Sequence, residues 1–262
     1  MDIFIAVLWI LLAILVEIVA VVLVCFILWI LIATILGWCV NTKKDHIKRN
    51  KFYAWYFETS LSVILNLLRV KVHYEGDELV PKDEKFLLVS NHVSNYDSLA
   101  VHKAMRKYGF GVISKPSNLK IPFFGRMTRK CNFYPIDREN ARNAVKTINV
   151  AAEAIKAGEA SMIVYPEGTR NKSAQGLLPF HNSVFKVAQK AKCPIVVIST
   201  RGTEKVHKCA PFRKSHIYLK VLEVIPTEEV MATRTSEIGA KVEGLLLADE
   251  KEWREKESAG NV

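Results

Sequence analysis

The first forty positions are almost uniformly apolar, unlike the rest of the chain. Between residues 3 and 40 the only charged side chain is that of Glu17. A membrane-spanning helix needs about 20 apolar residues, and residues 18–40 meet this length alone. A cleaved signal peptide fits poorly, because the stretch is too long and lacks a basic n-region. We therefore expect a membrane anchor, although the pattern leaves open one tilted span, a hairpin or a re-entrant segment.

Basic and aromatic residues follow this apolar stretch. By the positive-inside rule the basic residues place the C-terminal domain on the cytoplasmic side of the cell membrane. Aromatic side chains between residues 52 and 57 lie next to them, which favours an interfacial helix over residues 52–68 at the headgroup layer. An ordinary core helix with a large aromatic content is the alternative. The basic residues are Lys43, Lys44, Lys48, Arg49 and Lys51.

From residue 69 the pattern alternates between strand-like and helix-like segments. This order predicts an α/β fold with a mixed, largely parallel central sheet flanked by helices, joined to the N-terminal membrane-anchoring helical segment. We divide the chain into membrane-anchor and interfacial helices over residues 1–68 and an α/β domain over residues 69–262. The predicted strands are 70–74, 86–89, 110–113, 133–136, 161–165, 194–199 and 216–224, and the predicted helices are 98–107, 140–157, 182–191 and 228 onward.

Charge is distributed unevenly along the chain. The net charge is +11, and because the first forty residues hold −2, the remaining 222 residues hold +13. So basic a domain favours a polyanionic partner such as an anionic membrane lipid surface, a phosphorylated substrate or nucleic acid. A merely soluble basic surface is the plainer alternative. The five cysteines form no Cys-x-x-Cys pair and the histidines have no ligand-like spacing, so we expect neither a metal site nor a disulfide framework.

A histidine and an aspartate stand where one predicted strand gives way to a helix. His92 follows strand 86–89, and Asp97 comes five residues later, where Asp97 or Ser98 is the predicted N-cap of the helix. Open α/β sheets place ligand sites at the carboxyl ends of their strands. If the loop turns back, the Asp97 carboxylate holds one imidazole nitrogen and leaves the other free to accept a proton. On these residues alone, a local hydrogen-bonded turn is the more frequent explanation.

Three further stretches carry residues suited to the same site. Lys115 begins a segment that runs through Ile-Pro-Phe-Phe-Gly to Arg126, a Pro-Glu-Gly-Thr-Arg stretch ends at Arg170, and a Cys-Pro-Ile-Val-Val stretch follows. In this order and spacing the chain resembles the glycerolipid acyltransferases, specifically the membrane-bound 1-acyl-glycerol-3-phosphate acyltransferases. The resemblance covers about residues 70–200 and implies the same α/β fold.

The chain departs from the usual pattern of this family at several positions. Tyr165 stands where phenylalanine is usual, Asn171 where serine is common, and Asn118 where many relatives carry leucine. None of these changes affects His92 or Asp97. The departures therefore bear on the preference for acceptor headgroup and acyl chain rather than on the His92–Asp97 pair.

The resemblance implies transfer of a fatty acyl group from an acyl thioester to the sn-2 hydroxyl of lysophosphatidic acid, giving phosphatidic acid in phospholipid biosynthesis. His92 would remove the hydroxyl proton as the oxygen attacks the thioester carbonyl, and Asp97 would orient His92. The other implied residues would bind the acceptor phosphate, because guanidinium forks and backbone N–H groups suit a dianion. They are Lys115, Arg126, Glu167, Gly168, Thr169 and Arg170.

Three parts of this implied site have open alternatives. Instead of binding phosphate, Glu167 would order its loop by pairing with a basic side chain. Asp137 and Arg138, which follow a predicted strand, form either a structural ion pair or a part of the binding site. The oxyanion donors are also open, because backbone amides near Gly168 and those after His92 are both suitable.

Alternative functions come from different classes. The same chemistry on glycerol 3-phosphate or another lysolipid is the first, and a non-catalytic basic membrane-binding module is the second. Nucleic acid is not expected as a partner, since the chain has no helix-turn-helix pattern, RNP-type motif or arginine-rich arm. No cofactor is expected either, because no glycine-rich dinucleotide loop appears. The acyl donor, acyl-ACP or acyl-CoA, is left open by the residues.

Overall fold

The computed structural model describes residues 2–137, 139–173 and 176–259. It begins with two helices, which are followed by seven strands and six further α-helices within the described residues. Helix α1 covers Asp2–Trp38 and helix α2 covers Lys51–Leu67. The later elements are β1 (Val70–Glu75), β2 (Leu87–Ser90), α3 (Tyr96–Ala104), β3 (Phe110–Ser114), β4 (Phe133–Pro135), α4 (Ala141–Lys156), β5 (Ser161–Val164), α5 (Lys186–Ala191), β6 (Ile195–Arg201), α6 (Val206–Cys209), β7 (Ser215–Ile225), α7 (Thr227–Ala232) and α8 (Thr235–Ser258).

The strands form one sheet in the order β1-β7-β6-β2-β5-β3-β4. The five strands from β6 to β4 run parallel, whereas β7 is antiparallel to β6 and β1 is parallel to β7. The predicted fold class, a mixed and largely parallel sheet flanked by helices, is confirmed. The carboxyl ends of the five parallel strands therefore meet the starts of β7 and β1 along one edge of the sheet, which we call the carboxyl edge.

Both faces of the sheet are covered by helices, and strand β2 shows how the sequence achieves this. Leu87 and Val89 pack into a cluster with side chains of α4, α5 and α8 on one face. Leu88, between them, packs with side chains of α2 and α3 on the other face. All three side chains are fully buried. A continuous apolar run is thus required here, because successive strand residues point to opposite faces.

The C-terminal part of α1 packs against α2. Trp29 Nε1–H donates a hydrogen bond to Ser60 Oγ at 3.0 Å, and the Tyr53 hydroxyl donates to the Leu36 carbonyl oxygen at 3.2 Å. The earlier residue of α1, Trp29, thus contacts the later residue of α2, Ser60, and the later residue Leu36 contacts the earlier residue Tyr53. The two helices therefore run in opposite directions. The apolar side chains before Trp29 are exposed. By length and composition, the helix segment Ile3–Trp38 is able to cross a membrane.

Helix α2 has one buried face and one exposed aromatic face. Tyr56 and Leu65 are buried, whereas Phe52 and Trp55 are 53% and 54% exposed. The helix packs on the sheet through one face, as the core alternative predicts, and presents aromatic rings on the other. A position of that exposed face at the headgroup layer stays a prediction. The domain boundary after residue 68 stays a prediction.

The segment between α1 and α2, residues 41–50, is fastened to the α/β domain by two arginines, and we call it the strap. Arg129, which is 2% exposed, donates a hydrogen bond to the Lys44 carbonyl oxygen at 2.9 Å. Arg49 pairs with Glu58 of α2 at 2.7 Å and also donates to two main-chain carbonyls of the domain. Buried charges are stable only when they are paired in this way, so the strap is a fixed part of the structure.

Several element boundaries differ from the predictions. The predicted helix 98–107 ends at Ala104, and the predicted helix 182–191 is α-helical only from Lys186. Helix α3 begins at Tyr96 with Asn95 in the N-cap position, so neither Asp97 nor Ser98 is the N-cap. The reason is that the Asp97 carboxylate turns back onto the preceding loop and bonds to donors there. The C-terminal helical segment is interrupted between α7 and α8, because Thr233 adopts extended backbone.

His102 of α3 gives the fold a pH dependence of its own. Its buried ring stacks on Phe133, and Nδ1–H donates to the Ser98 carbonyl oxygen at 2.7 Å. Desolvation by burial lowers the pKa of His102 to about 4, whereas the unfolded chain has the ordinary value of about 6.5. As the pH falls the unfolded chain takes up the proton first, so stability that is present above pH 6.5 is lost progressively toward pH 4.

We expect the wild-type protein to lose about 2 kcal/mol more free energy of unfolding between pH 7 and pH 5 than the His102→Phe variant. Denaturant unfolding in detergent micelles at both pH values measures this difference. An exposed histidine, His181, provides the control, and a His181→Phe variant should follow the wild type. An equal pH dependence in wild type and His102→Phe would contradict the assignment.

Candidate active site

His92 lies at the carboxyl edge, on the loop between β2 and α3. Its Nδ1 atom is 2.7 Å from Asp97 Oδ2. Because a carboxylate only accepts hydrogen bonds, the Nδ1 atom carries the proton and the Nε2 atom holds the free lone pair. The His92 side chain is 21% exposed and that of Asp97 is fully buried. The pair therefore presents one basic nitrogen toward solvent and holds the other against a desolvated carboxylate.

The Asp97 carboxylate is saturated with donors. Its Oδ2 atom also accepts from the main-chain N–H groups of Val93 at 2.8 Å and Ser94 at 2.9 Å. Its Oδ1 atom accepts from the hydroxyl of Thr203. Thr203 lies just after the end of β6, the strand next to β2 in the sheet. These hydrogen bonds hold the carboxylate in one position, so the carboxylate in turn fixes the orientation of the His92 ring. Thr203 carries no motif, and the sequence offers no signal for its role.

Glu167 ties the loop after β5 to the loop of His92. Its Oε1 atom accepts from the His92 main-chain N–H at 2.8 Å, and its Oε2 atom accepts from the Leu178 N–H at 2.9 Å. In return, Asn171 N–H donates to the His92 carbonyl oxygen at 2.6 Å. Burial raises the pKa of the Glu167 carboxyl, and the hydrogen bonds from Leu178 and His92 oppose this shift. Glu167 thus orders the two loops through main-chain donors rather than through a basic side chain.

Tyr165 packs flat against the imidazole of His92. The ring centroids are 4.2 Å apart and the planes are inclined by 23°. The tyrosine is 9% exposed, so its ring is itself held by the core. With Asp97 fixing one edge of the imidazole and Tyr165 fixing one face, His92 has little rotational freedom. The sequence marked Tyr165 only as a departure from the family pattern.

The rest of the Pro-Glu-Gly-Thr-Arg stretch turns outward along the same edge. Gly168 has φ = +71° and its N–H donates to the Tyr165 carbonyl oxygen at 3.0 Å, a turn that favours glycine. Thr169 and Arg170 after it are exposed. Lys115 is also exposed, directly beyond the end of β3, which pairs with β5. Two cations therefore stand at the ends of adjacent strands, beside the strand that leads to His92.

Arg126 has a different neighbourhood in the structure. Its Nη2 atom donates to the Val40 carbonyl oxygen, just beyond the end of α1, at 3.3 Å. The bond joins the turn after β3 to the membrane-anchor segment rather than to the loop of His92, and a role for Arg126 in phosphate binding stays a prediction. Arg138 lies outside the described residues, so a pairing of Asp137 with Arg138 stays a prediction. The Asp137 carboxylate accepts a hydrogen bond from the Glu139 N–H at 3.1 Å.

The arrangement is suited to removing a proton from the hydroxyl of a substrate that also carries an anionic group. An oriented imidazole with a free Nε2 atom accepts a proton from a hydroxyl placed within hydrogen-bond distance, and the buried carboxylate then stabilises the imidazolium. Arg170 and Lys115 supply positive charge at the same edge. Among the described residues, no hydroxyl or thiol side chain hydrogen-bonds directly to the His92 imidazole.

The comparisons with known proteins agree on one family. Residues 71–201 match the family model described as Acyltransferase. A protein of Saccharomyces cerevisiae named 1-acyl-sn-glycerol-3-phosphate acyltransferase is 29% identical over 189 residues, which cover 71% of this chain and 62% of the yeast protein. A protein of the same name from Salmonella typhimurium is 28% identical over 180 residues, covering 67% and 73%. The chain thus spans less than two thirds of the yeast relative.

A solved structure shares the fold. The crystal structure of a 1-acyl-sn-glycerophosphate acyltransferase from Thermotoga maritima aligns with a TM-score of 0.61 at 24% identity, over 77% of this chain and 81% of that chain. The likeness includes the mixed sheet and its flanking helices. It establishes the architecture that brings the ends of β2, β5 and β3 side by side.

Proposed function

We propose, from the premise that the chain belongs to the acyltransferase family, that it moves a fatty acyl group from an acyl thioester to the sn-2 hydroxyl of lysophosphatidic acid and so forms phosphatidic acid. The observation that carries the proposal is the His92–Asp97 pair, in which Nδ1 and Oδ2 are 2.7 Å apart. Glu167 connects this pair to the exposed loop that carries Arg170. The names of the relatives from yeast and Salmonella support the choice of acceptor.

The reaction needs one base and no covalent enzyme intermediate. His92 Nε2 takes the proton of the sn-2 hydroxyl while the hydroxyl oxygen attacks the thioester carbonyl carbon. The imidazolium so formed is stabilised by its Nδ1–H bond to Asp97. When the tetrahedral intermediate collapses, the C–S bond breaks, the new ester remains on the glycerol, and the departing sulfur takes the proton back from Nε2. The products are phosphatidic acid and a free thiol.

The oxyanion of that intermediate requires N–H donors. The amides of Val93 and Ser94 already donate to Asp97, and that of Gly168 donates to a carbonyl oxygen. We assign the role to the amides of Thr169 and Arg170, for which the described residues supply no main-chain partner. Of the two possibilities that the sequence left open, this favours the loop of Gly168.

The phosphate of the acceptor is assigned to the exposed cations of the carboxyl edge. Arg170 offers a planar fork of donors and Lys115 a point charge, and they stand at the ends of adjacent strands. Gly168 keeps the backbone of the loop open to close approach. Arg126, if it leaves the Val40 carbonyl, would close the phosphate site from the side of the membrane anchor.

We also propose that residues 1–68 anchor the α/β domain, residues 69–262, on the cytoplasmic face of the cell membrane. Helix α1 has the length and composition of a span. The exposed lysines after it, Lys43, Lys44 and Lys48, favour the cytoplasmic side. The acceptor is a membrane lipid, so this placement brings it to the site.

A thiol-release assay over a small grid of donors and acceptors tests the proposal. Purified protein in detergent receives acyl-CoA or acyl-ACP together with lysophosphatidic acid, glycerol 3-phosphate, a zwitterionic lysophospholipid or monoacylglycerol. We expect lysophosphatidic acid to react at least about tenfold faster than monoacylglycerol, because a charge-assisted phosphate contact is worth about 1.5–3 kcal/mol.

Each row of the grid decides a separate part of the proposal. Faster turnover of glycerol 3-phosphate or of the zwitterionic lysophospholipid would replace the acceptor while keeping the chemistry. Equal turnover of monoacylglycerol would remove the phosphate role of Arg170 and Lys115. Absence of thiol release with every pair would favour the non-catalytic membrane-binding module.

A further inference from the structure

The connection between β6 and β7 is unusually basic, and we call residues 205–214 the basic loop. No Asp or Glu occurs between Glu204 and Glu223, whereas the basic loop itself contains Lys205, Lys208, Arg213, Lys214 and a histidine. Because β7 runs antiparallel to β6, the loop lies at the carboxyl edge of the sheet, the edge that carries His92. Its charge is therefore displayed on the same side of the molecule as the proposed site.

A phenylalanine stands at the tip of the basic loop. Phe212 is 85% exposed, more than any large apolar side chain described in α1. Its backbone is held in place, since Arg213 N–H donates to the Cys209 carbonyl oxygen at 2.7 Å and Arg69 Nη1 donates to the Phe212 carbonyl oxygen at 2.8 Å. The outward position of the ring is thus built into an ordered turn, at the cost of full hydration of an apolar side chain.

The cations around Phe212 are not used within the fold. Lys208, Arg213 and Lys214 are exposed, and no carboxylate of the described residues forms an ion pair with them. Lys205, at the far end of the loop, differs in that it pairs with Glu257 of α8 at 3.1 Å. The charges nearest the exposed ring are therefore free to meet an external anion.

The direction of α1 indicates where the membrane lies. Helix α1 runs antiparallel to α2, so its exposed apolar part extends beyond the C-terminal end of α2. That end carries Leu67, which is 65% exposed, and is followed by Arg69, whose guanidinium bonds to the basic loop. The register of Val70 with Ser215 puts the end of α2 and the end of the basic loop side by side. The part of α1 that is proposed to span the bilayer thus leaves the domain on the side of Phe212.

We propose that the basic loop docks on anionic headgroups of the bilayer, with Phe212 entering the boundary layer, as a second membrane contact separate from α1. Apolar rings flanked by lysines and arginines bind such surfaces through burial of the ring and through attraction of the cations to anionic headgroups. The contact would hold the carboxyl edge, and with it His92, against the membrane. The inference rests on the proposed anchoring by α1 but not on the proposed reaction.

An acidic protein is the competing partner for this surface. An acidic carrier protein would satisfy the three unpaired cations as well as anionic lipid does. The exposed Phe212 and Leu67, and the exit of α1 on their side, favour the bilayer, because a span inserted there brings the lipid to the loop without a further binding step. The carrier protein is therefore an outcome of the test.

The experiment measures the accessibility of lysines in the full chain reconstituted into lipid nanodiscs. An uncharged acetylating reagent modifies exposed amines, and mass spectrometry gives the rate at each lysine. We expect Lys208 and Lys214 to react at least about fivefold more slowly in discs with one quarter phosphatidylglycerol than in pure phosphatidylcholine discs. Lys192, which is exposed before β6 at the opposite edge of the sheet, should react equally in both.

A pair of matched variants separates docking from general crowding by the disc. Phe212→Ser should remove most of the protection of Lys208 and Lys214, whereas Met231→Ser, at an exposed methionine of α7 on the opposite edge, should leave it unchanged. Equal rates in the two kinds of disc would overturn the proposal. Protection by added acyl carrier protein but not by anionic lipid would overturn it in favour of a protein partner, and failure of the chain to enter discs would overturn it together with anchoring by α1.

Discussion

A His92→Ala variant is expected to lose thiol release, with kcat lower by at least about 10³-fold. The imidazole at the end of β2 combines a free nitrogen with a fixed partner, since Nδ1 is held by Asp97 and the ring is stacked on Tyr165. Without it, the acceptor hydroxyl must lose its proton to water, which is far too weak a base. Initial rates with lysophosphatidic acid and a saturating acyl donor measure the loss.

The variant is informative only if the fold survives the substitution. His92 contributes main-chain bonds to Glu167 and Asn171, and alanine retains both of them. Thermal unfolding and gel filtration in detergent should therefore be close to those of the wild type. An exposed histidine on the loop after β5, His181, supplies the matched control, and His181→Ala should remain active. A His92→Ala enzyme with near wild-type turnover would show that the base is another group.

The second large effect is expected for Asp97→Asn, with kcat lower by about 10²–10⁴-fold. The Oδ2 atom of Asp97 receives three N–H groups, from His92, Val93 and Ser94. An amide that keeps its oxygen on these donors must turn its NH₂ group toward the Thr203 hydroxyl, and the imidazolium of His92 then has no anion beside it. If the amide turns the other way, its NH₂ group faces His92 Nδ1 and selects the tautomer in which Nε2 carries the proton and is unable to accept another.

Kinetic constants distinguish this mechanism from simple loss of structure. Asp97 is fully buried and is assigned no contact with the acceptor, so the Michaelis constant for lysophosphatidic acid should stay within about threefold of the wild type. Asp83→Asn, at an exposed aspartate before β2 on the opposite edge, is the matched control. A fall in kcat of less than about tenfold would mean that Asp97 serves only to shape the loop.

The architecture was largely predictable because apolar periodicity is local. The continuous apolar run that contains Leu87, Leu88 and Val89 indicates a strand buried on both faces, and the run from Ile195 does the same. The reversed direction of β7 and β1 was not predictable in this way. It depends on pairings such as that of Val70 with Ser215, which join parts of the chain that carry no complementary pattern.

In the candidate site, too, contacts within one loop were predictable from the sequence and contacts between distant parts of the chain were not. The spacing of His92 and Asp97 is short, so one loop brings them together and the sequence suffices to predict it. The prediction of Asp97 as a helix cap was wrong, because donors inside the loop compete for its carboxylate. The contacts of Thr203 with Asp97 and of Tyr165 with His92 depend on strands that become neighbours only in the folded sheet. No local sequence pattern predicts these two contacts.

The strap has a consequence for how acceptors reach the enzyme. Since Arg129 and Arg49 fasten residues 41–50 to the domain, α1 and the domain are held in one relative orientation. In a bilayer the tilt of that helix, together with the proposed contact of the basic loop, would then set the height of His92 above the lipid headgroups. Acceptor and product would enter and leave sideways, by lateral diffusion within one leaflet, and turnover at low acceptor density would be governed by a two-dimensional search.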